Sequence, residues 1–592
     1  MATSIQWSGS VYVRGSSESL RLFLLTICVA GLQFTWGVEQ SYVNVYLLSL
    51  GLSKSLLSSV WIAGPLSGLI MQPVVGAWSD NCTSSFGRRR PFMIIGSIIV
   101  SLSLMLMAWT REFIEFFVDS ESWTKPLTIS FAVLSVFTAD FAVSAVQACC
   151  RAIIVDTLPK SKQELGNAWA GRMVAGGHLI GYFLGFIDLV AYFPFLGSTQ
   201  LKVLCAISSI ALLVSIAITS WAVNERVLVT VHSKADTTLR GIFNALFTTG
   251  LHLPLKIRRI LTVQLFAWYG WFTFLFYSST WVGEIYVRYE APELSDSLDI
   301  VGDIGRVGSR ALTIYSTVTL FCSLILPFFV VSPSSDSHHQ LSTYADFPKF
   351  IGNFLVSIAP YRPTLSTAWM ISHIVYAFAM FGSIFVHSVR AATIIVGICG
   401  FSWALTAWAP FSLLAEEIRK ISFAESEYSY ESLSASEEDI GSFQENDNTI
   451  SIGFAKQNKD VVRPGRAFDN ESSSSGDNGM NTIEDELIND SIVDGSSLYE
   501  ENADIADEEF QETSERAGIF LGLLNVSITV PQFVSTFVSF IIFSILEPGK
   551  STELSDHERP NKEGVNAIGV TLQVGGLTAL IAAYMTHKLR TS

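Results

Sequence analysis

Twelve predominantly apolar stretches run along the chain, near residues 22–46, 56–79, 92–110, 127–151, 165–192, 200–222, 258–283, 309–331, 365–387, 391–415, 517–546 and 565–587. A hydrocarbon core about 30 Å thick takes roughly 20 residues of helix to cross, so each stretch predicts a membrane-spanning helix. The fourth stretch is not uniformly apolar. Asp140, Ser144, Gln147 and Arg151 recur in it at i, i+4, i+7 and i+11. Eleven residues turn a helix by about 1100°, roughly 20° past three full turns, so all four side chains share one face along about 16 Å of axis. An ionised Asp or Arg near the centre of a spanning helix costs on the order of 3 kcal/mol, which predicts that this stripe faces a polar cavity rather than lipid. A polar cavity through a membrane points to transport.

Composition supports an integral membrane protein: 49% of the 592 residues are hydrophobic, 15% are charged, and the mean hydropathy is +0.41. The first apolar run is long and lacks a small-residue cleavage pattern, so the N-terminus is expected to be retained. Cys28, Cys149, Cys150, Cys205, Cys322 and Cys399 fall in the predicted spans and Cys82 in a short basic loop, with neither a disulfide framework nor metal-ligand spacing. The formal charge of −16 is local in origin. Residues 421–515 hold 25 Asp or Glu against 4 Lys or Arg, which leaves the remainder at +5. Arg88 to Arg90, Lys160, Lys162, Arg258, Arg259, Lys588 and Arg590 sit in alternate loops, and the positive-inside rule makes those loops and both termini cytoplasmic.

The predicted organisation is an all-α membrane protein of twelve transmembrane helices in two six-helix bundles. A cytoplasmic N-terminus (1–21) precedes an N-terminal bundle (22–222), a central cytoplasmic loop (223–257) and helices seven to ten of the C-terminal bundle (258–416). An acidic insert (417–516), helices eleven and twelve (517–587) and a cytoplasmic C-terminus (588–592) follow. In two-bundle transporters the substrate and coupling ion bind near the midplane between the halves, and rocking of the bundles alternates access. The insert, with Ser472 to Ser475 and Asp507 to Glu509, reads as disordered. Its plain role is a solvated tether. The sharper reading, a phosphorylated or ubiquitin-linked segment that meets regulatory proteins, ranks behind it.

Between the second and third spans, GAWSD (Gly76 to Asp80), a six-residue spacer and GRRRP (Gly87, Arg88, Arg89, Arg90 and Pro91) resemble the loop motif of the major facilitator superfamily. Gly permits close helix approach, and Asp80 can pair with arginines in a charge relay that opens and closes during transport; three arginines that merely set topology are the simpler reading. The wider segment LQFTWGVEQSYVNVYLLSLGLSKSLLSSVWIAGPLSGLIMQPVVGAWSDNCTSSFGRRRP from Leu32 resembles the glycoside-pentoside-hexuronide branch, specifically the sucrose transporter family. The likeness continues in QACCRAIIVD from Gln147, GNAWAGRMVAGGHLIGYFLGFIDL from Gly166, GFSWALTAWAPFSLLAEEI from Gly400 and GIFLGLLNVSITVPQF from Gly518. It covers most spans, and the fungal general α-glucoside permeases are nearest in style.

The resemblance implies a major facilitator fold and a proton-coupled symporter for sucrose or related α-glucosides such as maltose. The proton is the coupling ion, with no other cofactor and no metal; the implied partners are a small sugar and the lipid bilayer, not nucleic acid. The family's fourth-helix Asp and Arg fall on Asp140, as proton site, and Arg151, which could bind sugar hydroxyls or pair with a carboxylate when the proton leaves. Glu39 in the first span ranks second as a proton site; it could also pair with Arg151 or Arg172 or accept sugar hydroxyls. A sugar site combines amides and carboxylates with aromatic faces that cover ring C–H groups. Gln33, Trp36, Gln147, Asn167, Trp271, Trp403 and Asn525 are the candidates, each intramembrane Trp being as readily a packing residue. His178 and His373 read as hydrogen-bonded structural residues before proton relays.

Two departures from the plant pattern stand out. Ser278 and Thr280 occupy the acidic positions of the seventh span, leaving only Glu284 there, and Lys54 stands in the outer loop where several plant members have His. Other readings on this fold are transport of another solute by antiport or facilitated movement, and a nontransporting sugar sensor. An enzyme is not expected, since no nucleophile and base constellation and no phosphate-binding G-x-x-x-x-G-K-[ST] loop occurs. The plasma membrane is the expected location, with a vacuolar or other acidic-organelle membrane as the alternative.

Overall fold

Ser17 opens the first helix by accepting a hydrogen bond from the Leu20 N–H, 3.3 Å away, the usual role of a serine at a helix start. In this computed structural model the described residues are 7–159, 162–228, 253–291, 299–331, 359–442, 495–549 and 564–590, with 353 and 357. They divide into two units, Met1–Glu417 with Ile519–Ser592 and Ile418–Gly518.

The larger unit holds the membrane helices. Six come first: α1 (Glu18–Ser49), α2 (Lys54–Asp80), α3 (Arg90–Ala108), α4 (Glu121–Thr157), α5 (Gln163–Phe186) and α6 (Gln200–Ala222). The other six are α7 (Leu255–Glu290), α8 (Ile300–Phe329), α9 (Leu365–Gly382), α10 (Val389–Ser442), α11 (Gly495–Leu546) and α12 (Ala567–Arg590). Among the described residues, 11 helices are long and apolar enough to cross a membrane, and α5 is the remaining member of the twelve. Its Asn167, Arg172 and His178 and its glycines lower its hydropathy below that of the others.

Several helices outrun the predicted spans. The fourth stretch lengthens from 127–151 to Glu121–Thr157, and the eighth begins at Ile300 rather than 309. Hydropathy marks only the lipid-matched segment, whereas the first turns of α8 carry Asp303 and Arg306, which pair with each other and, through Arg306, with Asp188 at 3.1 Å. The smaller unit is helical at residues 418–442 and 495–518. At these flanks of the 417–516 insert, expected from composition to be disordered, Ala, Glu and Leu favour continued helix. Its centre, 443–494 with Ser472 to Ser475, lies outside the described residues, as do Lys160 and residues 229–252 of the central loop.

Small residues set the closest helix contacts. A Cβ on Gly177 of α5 would fall on the carbonyl oxygen of Ala30 and 2.9 Å from Gln33 Cβ, both on α1. In the other bundle a Cβ on Gly270 of α7 would stand 2.7 Å from the Gly575 carbonyl of α12. Lipid is as apolar as a leucine side chain, so helix association rests on this kind of backbone approach. Leu32, Val38, Val143 and Val146 belong to the buried core of the first bundle, and Phe274, Tyr376, Ala377 and Leu572 to that of the second.

At the cytoplasmic end, the central loop expected at 223–257 begins as two short strands. β1 (Trp7–Ser8) pairs antiparallel with β4 (Val227–Leu228), and β2 (Tyr12–Val13) with β3 (Val223–Asn224). This clasp sets Glu225 against the start of α3. Its carboxylate accepts the backbone N–H groups of Arg88, Arg89 and Arg90 at 3.0, 2.8 and 3.1 Å, satisfying amides that a helix start leaves unpaired. Gly87 has φ of +116° and approaches so closely that a Cβ there would meet Glu225 Oε1 at 2.9 Å.

Gly177→Val is expected to lower stability by about 1–3 kcal/mol through overpacking, whereas Gly171→Val, in open space, is tolerated. Removing three charge-assisted acceptor contacts in Glu225→Ala is expected to cost about 2–3 kcal/mol. Thermal unfolding of the detergent-purified variants measures both effects, and an unchanged Tm for Gly177→Val or Glu225→Ala contradicts the packing or the capping argument respectively.

Candidate transport site

The helical path of α1 changes at Glu39. Residues Glu18–Val38 are α-helical, Glu39–Val43 form a π turn, and Asn44–Ser49 return to α-helix. A π turn inserts an extra residue and re-aims the side chains around it, a device that recurs at functional sites. Within and just after the turn most polar groups have partners. Tyr42 Oη donates to the Gly185 carbonyl at 2.5 Å, and Tyr182 Oη donates to Gln40 Oε1. Asn44 Nδ2 donates to the Phe276 carbonyl and, at 3.0 Å, to Thr280 Oγ1, while Asn44 Oδ1 accepts from Trp61 Nε1 at 2.8 Å.

Glu39 is directed instead toward α4. Its carboxyl and that of Asp140 lie in hydrogen-bonding contact, with relative exposures of 5% and 3%. A carboxylate can only accept, so two carboxyls can hydrogen bond to each other only when one carries a proton. Glu39 Oε1 and Asp140 Oδ2 have no protein hydrogen-bond partner among the described residues. The arrangement is a buried pair of carboxyl groups, one from α1 and one from α4. In this conformation the neighbour of the Glu39 carboxyl is Asp140.

The stripe on α4 then runs toward the cytoplasm. Ser144 bonds Ser67 of α2 at 2.8 Å, Gln147 is half-buried, and Arg151 is exposed although protein surrounds it, as expected of a residue on a cavity wall. Arg151 makes no ion pair among the described residues, so the carboxylate partnership that the sequence allowed for it is not formed in this conformation. Asn167 and Arg172 of α5 and Asn525 of α11 are exposed, and the Arg172 guanidinium lies over Trp169 at 5.2 Å. Gln33 is buried, and Trp36 is half-buried with its Nε1 lacking a protein partner among the described residues.

The second bundle contributes an aromatic cluster. Trp403 of α10 stands edge-on to Trp268 and Trp271 of α7, with ring centroids 5.6 and 4.8 Å apart. Trp271 itself is 1% exposed, packs against Tyr376 at 4.6 Å and donates from Nε1 to Thr406 Oγ1 at 3.2 Å. Trp271, expected among the sugar contacts, is thus buried against Trp403, and Trp403 and Trp268 are half-buried. Trp268 was legible only as a residue one helical turn from Trp271. Of the histidines, His178 bonds the Val174 carbonyl at 3.2 Å, while His373 is buried beside Trp369 with Nε2 lacking a protein partner among the described residues.

In the loop motif Arg88 and Arg89 share their carboxylate partners, and Arg90 turns elsewhere. Arg89 pairs with Asp80 and, at 3.0 Å, with Asp156 at the inner end of α4, and it also donates to Ser79. Arg88 meets Asp156 at 2.7 Å and Asp80 at 3.7 Å, and Arg90 donates to the Ser220 carbonyl at 3.0 Å. Burial opposes the charge on Arg89, but the carboxylates of Asp156 and Asp80 outweigh it and hold the guanidinium above its ordinary pKa. Gly76 receives the Arg89 guanidinium on its carbonyl at 3.4 Å, and open space surrounds its Cα. The sequence reading missed Asp156 and Glu225 as members of this network.

Contacts between the bundles gather on the outer half. Besides Asn44 with Thr280, Ser279 Oγ donates to the Ser41 carbonyl at 3.1 Å, and Trp61 stacks on Phe276 at 4.5 Å. Asp299 Oδ2 accepts from the Gln200 N–H at 2.6 Å. Lys54, expected in an outer loop, is instead the first residue of α2, 1% exposed, and its ammonium meets Glu284 and Glu547. With the outer half joined and Arg151 exposed on the cytoplasmic half, the arrangement is inward-facing.

No family model matches the chain. It is similar to the general α-glucoside permease of Schizosaccharomyces pombe, 35% identical over 462 residues that make up 69% of this chain and 82% of that one. Sucrose transport protein SUC4 of Arabidopsis thaliana is 29% identical over 422 residues, 69% of this chain and 79% of that protein. Among solved structures, the backbone resembles a bacterial homologue of the human lysosomal transporter Spinster (TM-score 0.51, 9% identity, 98% of both chains). It also resembles the nucleoside transporter NupG (TM-score 0.51, 11% identity, 96% of this chain and 99% of that one). At such identities the structural likeness speaks for the fold alone, which is that of the major facilitator transporters. The relatives in sequence and the neighbours in structure are transporters, and the chain is a transporter rather than an enzyme. Identity of this extent to the permease, reached over most of that protein's length, shows that the chain belongs to the sucrose and α-glucoside transporter family of the major facilitator superfamily.

Proposed function

We propose that the chain imports sucrose, maltose or a related α-glucoside together with a proton, by alternating access across the plasma membrane. The observation that carries this reading is the buried Glu39–Asp140 pair. Two carboxyls that share one proton, on helices from which a polar stripe leads to the cytoplasmic side, can load and release that proton as access alternates. Asp140 is the coupling residue and Glu39 its partner. Arg151 and Gln147 bind sugar hydroxyls, Trp403, Trp268 and Trp36 offer faces to the ring C–H surface, and Arg151 is the cation of the stripe, available to a carboxylate only if the transport cycle brings one to it. The names of the relatives support the sugar class, since one is called a general α-glucoside permease and another a sucrose transport protein.

The energetics suffice. A membrane potential of about 100 mV contributes about 2.3 kcal/mol per proton and one pH unit about 1.36 kcal/mol more. Together, roughly 3.7 kcal/mol supports accumulation of several hundredfold at one proton per sugar.

The test is alkalinisation of the medium when sucrose, maltose or glucose is added to unbuffered cells that express the chain and lack α-glucoside carriers of their own. Sucrose or maltose is expected to drive prompt proton uptake, which Asp140→Asn abolishes. Glu39→Gln keeps a hydrogen-bonding partner for Asp140 and is expected to slow uptake on the order of tenfold. If the protein reaches the surface and no sugar moves protons, α-glucoside symport is wrong. In the same cells Trp403→Ala is expected to raise KM for the transported sugar about tenfold with the maximal rate largely kept, the pattern of a lost binding contact. A lowered maximal rate with unchanged KM would remove Trp403 from the sugar site.

A further inference from the structure

We infer that Lys54, Glu284 and Glu547 form the outer gate of the transport path, a charge latch that closes one bundle on the other. Lys54 belongs to the first bundle, at the start of α2, where Ser53 caps the helix by accepting from the Leu56 N–H at 3.3 Å. Both carboxylates belong to the second bundle: Glu284 lies on α7 and Glu547 directly follows the last residue of α11. The Lys54 ammonium contacts Glu284 Oε1 and Glu547 Oε2, and the Lys54 and Glu284 side chains are 2% and 1% exposed.

Glu547 is held independently of the lysine. Glu547 Oε1 accepts the Ala567 N–H at 2.8 Å, which fixes it to the start of α12, and lies 3.9 Å from Arg288. Arg288 in turn donates to the Gly564 carbonyl at 2.8 Å. Within the cluster, Lys54 is the member that crosses from the first bundle to the second.

A lysine is almost never this buried unless paired. The pairing is also suited to a reversible gate. When the bundles part on the outside, water reaches all three groups and hydration replaces the lost contacts; when they close, each lysine contact replaces water. The intact trio therefore sets no large bias between the two states. Removing the lysine changes only one of them. The closed state then buries two carboxylates side by side without the lysine's charge between them, while the open state hydrates them at no penalty. A change that penalises one state and not the other shifts the population toward the other. The latch thus concerns the conformational cycle of the family's fold and does not depend on which sugar or ion is carried.

The reporter is Ser279→Cys, a buried position between the bundles, labelled from outside intact cells with a membrane-impermeant maleimide and corrected for the parent chain. Adding Lys54→Met is expected to speed labelling at least about tenfold. Adding Glu284→Gln and Glu547→Gln to Lys54→Met removes the stranded charges and is expected to return labelling toward the reporter alone. Unchanged labelling in Lys54→Met at normal surface abundance overturns the inference, as does a triple variant that labels as fast as Lys54→Met. Should Lys54→Met fail to reach the surface, Glu284→Gln is read in its place: a smaller rise supports the latch and no rise overturns it. Sugar-dependent alkalinisation is recorded in the reporter strain, so a failed gate and a failed symport assignment give different results.

Discussion

Two buried carboxyl groups that face each other, Glu39 and Asp140, form the constraint around which the first bundle is organised. A bilayer does not tolerate such a pair unless it is shielded from lipid and a proton is shared within it. Shielding comes from α1, α4 and α5 together. The π turn at Glu39 aims one carboxyl across to Asp140, and the glycine-lined approach of α5 to α1 closes the far side. Polar groups beyond the turn are tied to other helices by Tyr42, Tyr182, Asn44 and Trp61. What remains unsatisfied on this part of α1 is Glu39 itself and, one turn inward, Trp36 Nε1.

The bundles divide the chemistry. In the first, charge and amides dominate the midplane: Glu39, Asp140, Gln147 and Arg151. In the second, Trp268, Trp271, Trp403 and Tyr376 pack edge to face with Thr406 as a hydrogen-bond acceptor. A sugar presents hydroxyls around its rim and C–H groups on its faces, so a polar wall opposite an aromatic wall suits it. The seventh helix has lost the acidic pair of the plant pattern, and the structure gives the replacements other tasks. Thr280 receives Asn44 across the bundle seam, and Ser278 is buried. Glu284, the acid that remains, is turned to Lys54.

How much of this was legible in the sequence depended on whether a feature is local. Helical spacing alone placed Asp140, Ser144, Gln147 and Arg151 on one face, and apolar length marked the spans. Glycine-rich α5 was found by its flanking apolar residues even though its own hydropathy is modest. Helix ends were not legible, because polar first turns such as Asp303 and Arg306 are stabilised by contacts between elements. Pairings across long separations were also hidden. Nothing near Lys54 in the chain points to Glu547, 493 residues away, and a lysine between two serines reads as a loop until its partners are known. Glu225 likewise looks like any polar residue after a span until the strands bring it under three amides. Trp271 is buried against Tyr376 and Trp403, a placement that residue type alone does not reveal.

The two charged networks at the ends of the molecule are built differently, and the inward-facing state accounts for the difference. Outside, Lys54 crosses the seam to Glu284 and Glu547. Inside, Arg88, Arg89, Asp80, Asp156 and Glu225 are joined within the first bundle. Asp80 is still half open to solvent, with its side chain 53% exposed, whereas Lys54 is sealed. A gate that is shut needs its charges paired across the seam, because the seam excludes water; a gate that is open can leave a carboxylate partly hydrated and fold the rest back on its own bundle. Alternation between the two forms then needs no net change in the number of buried charges, only an exchange between partners on the opposite bundle and water. The Glu39–Asp140 pair stands apart from both networks, buried within the first bundle.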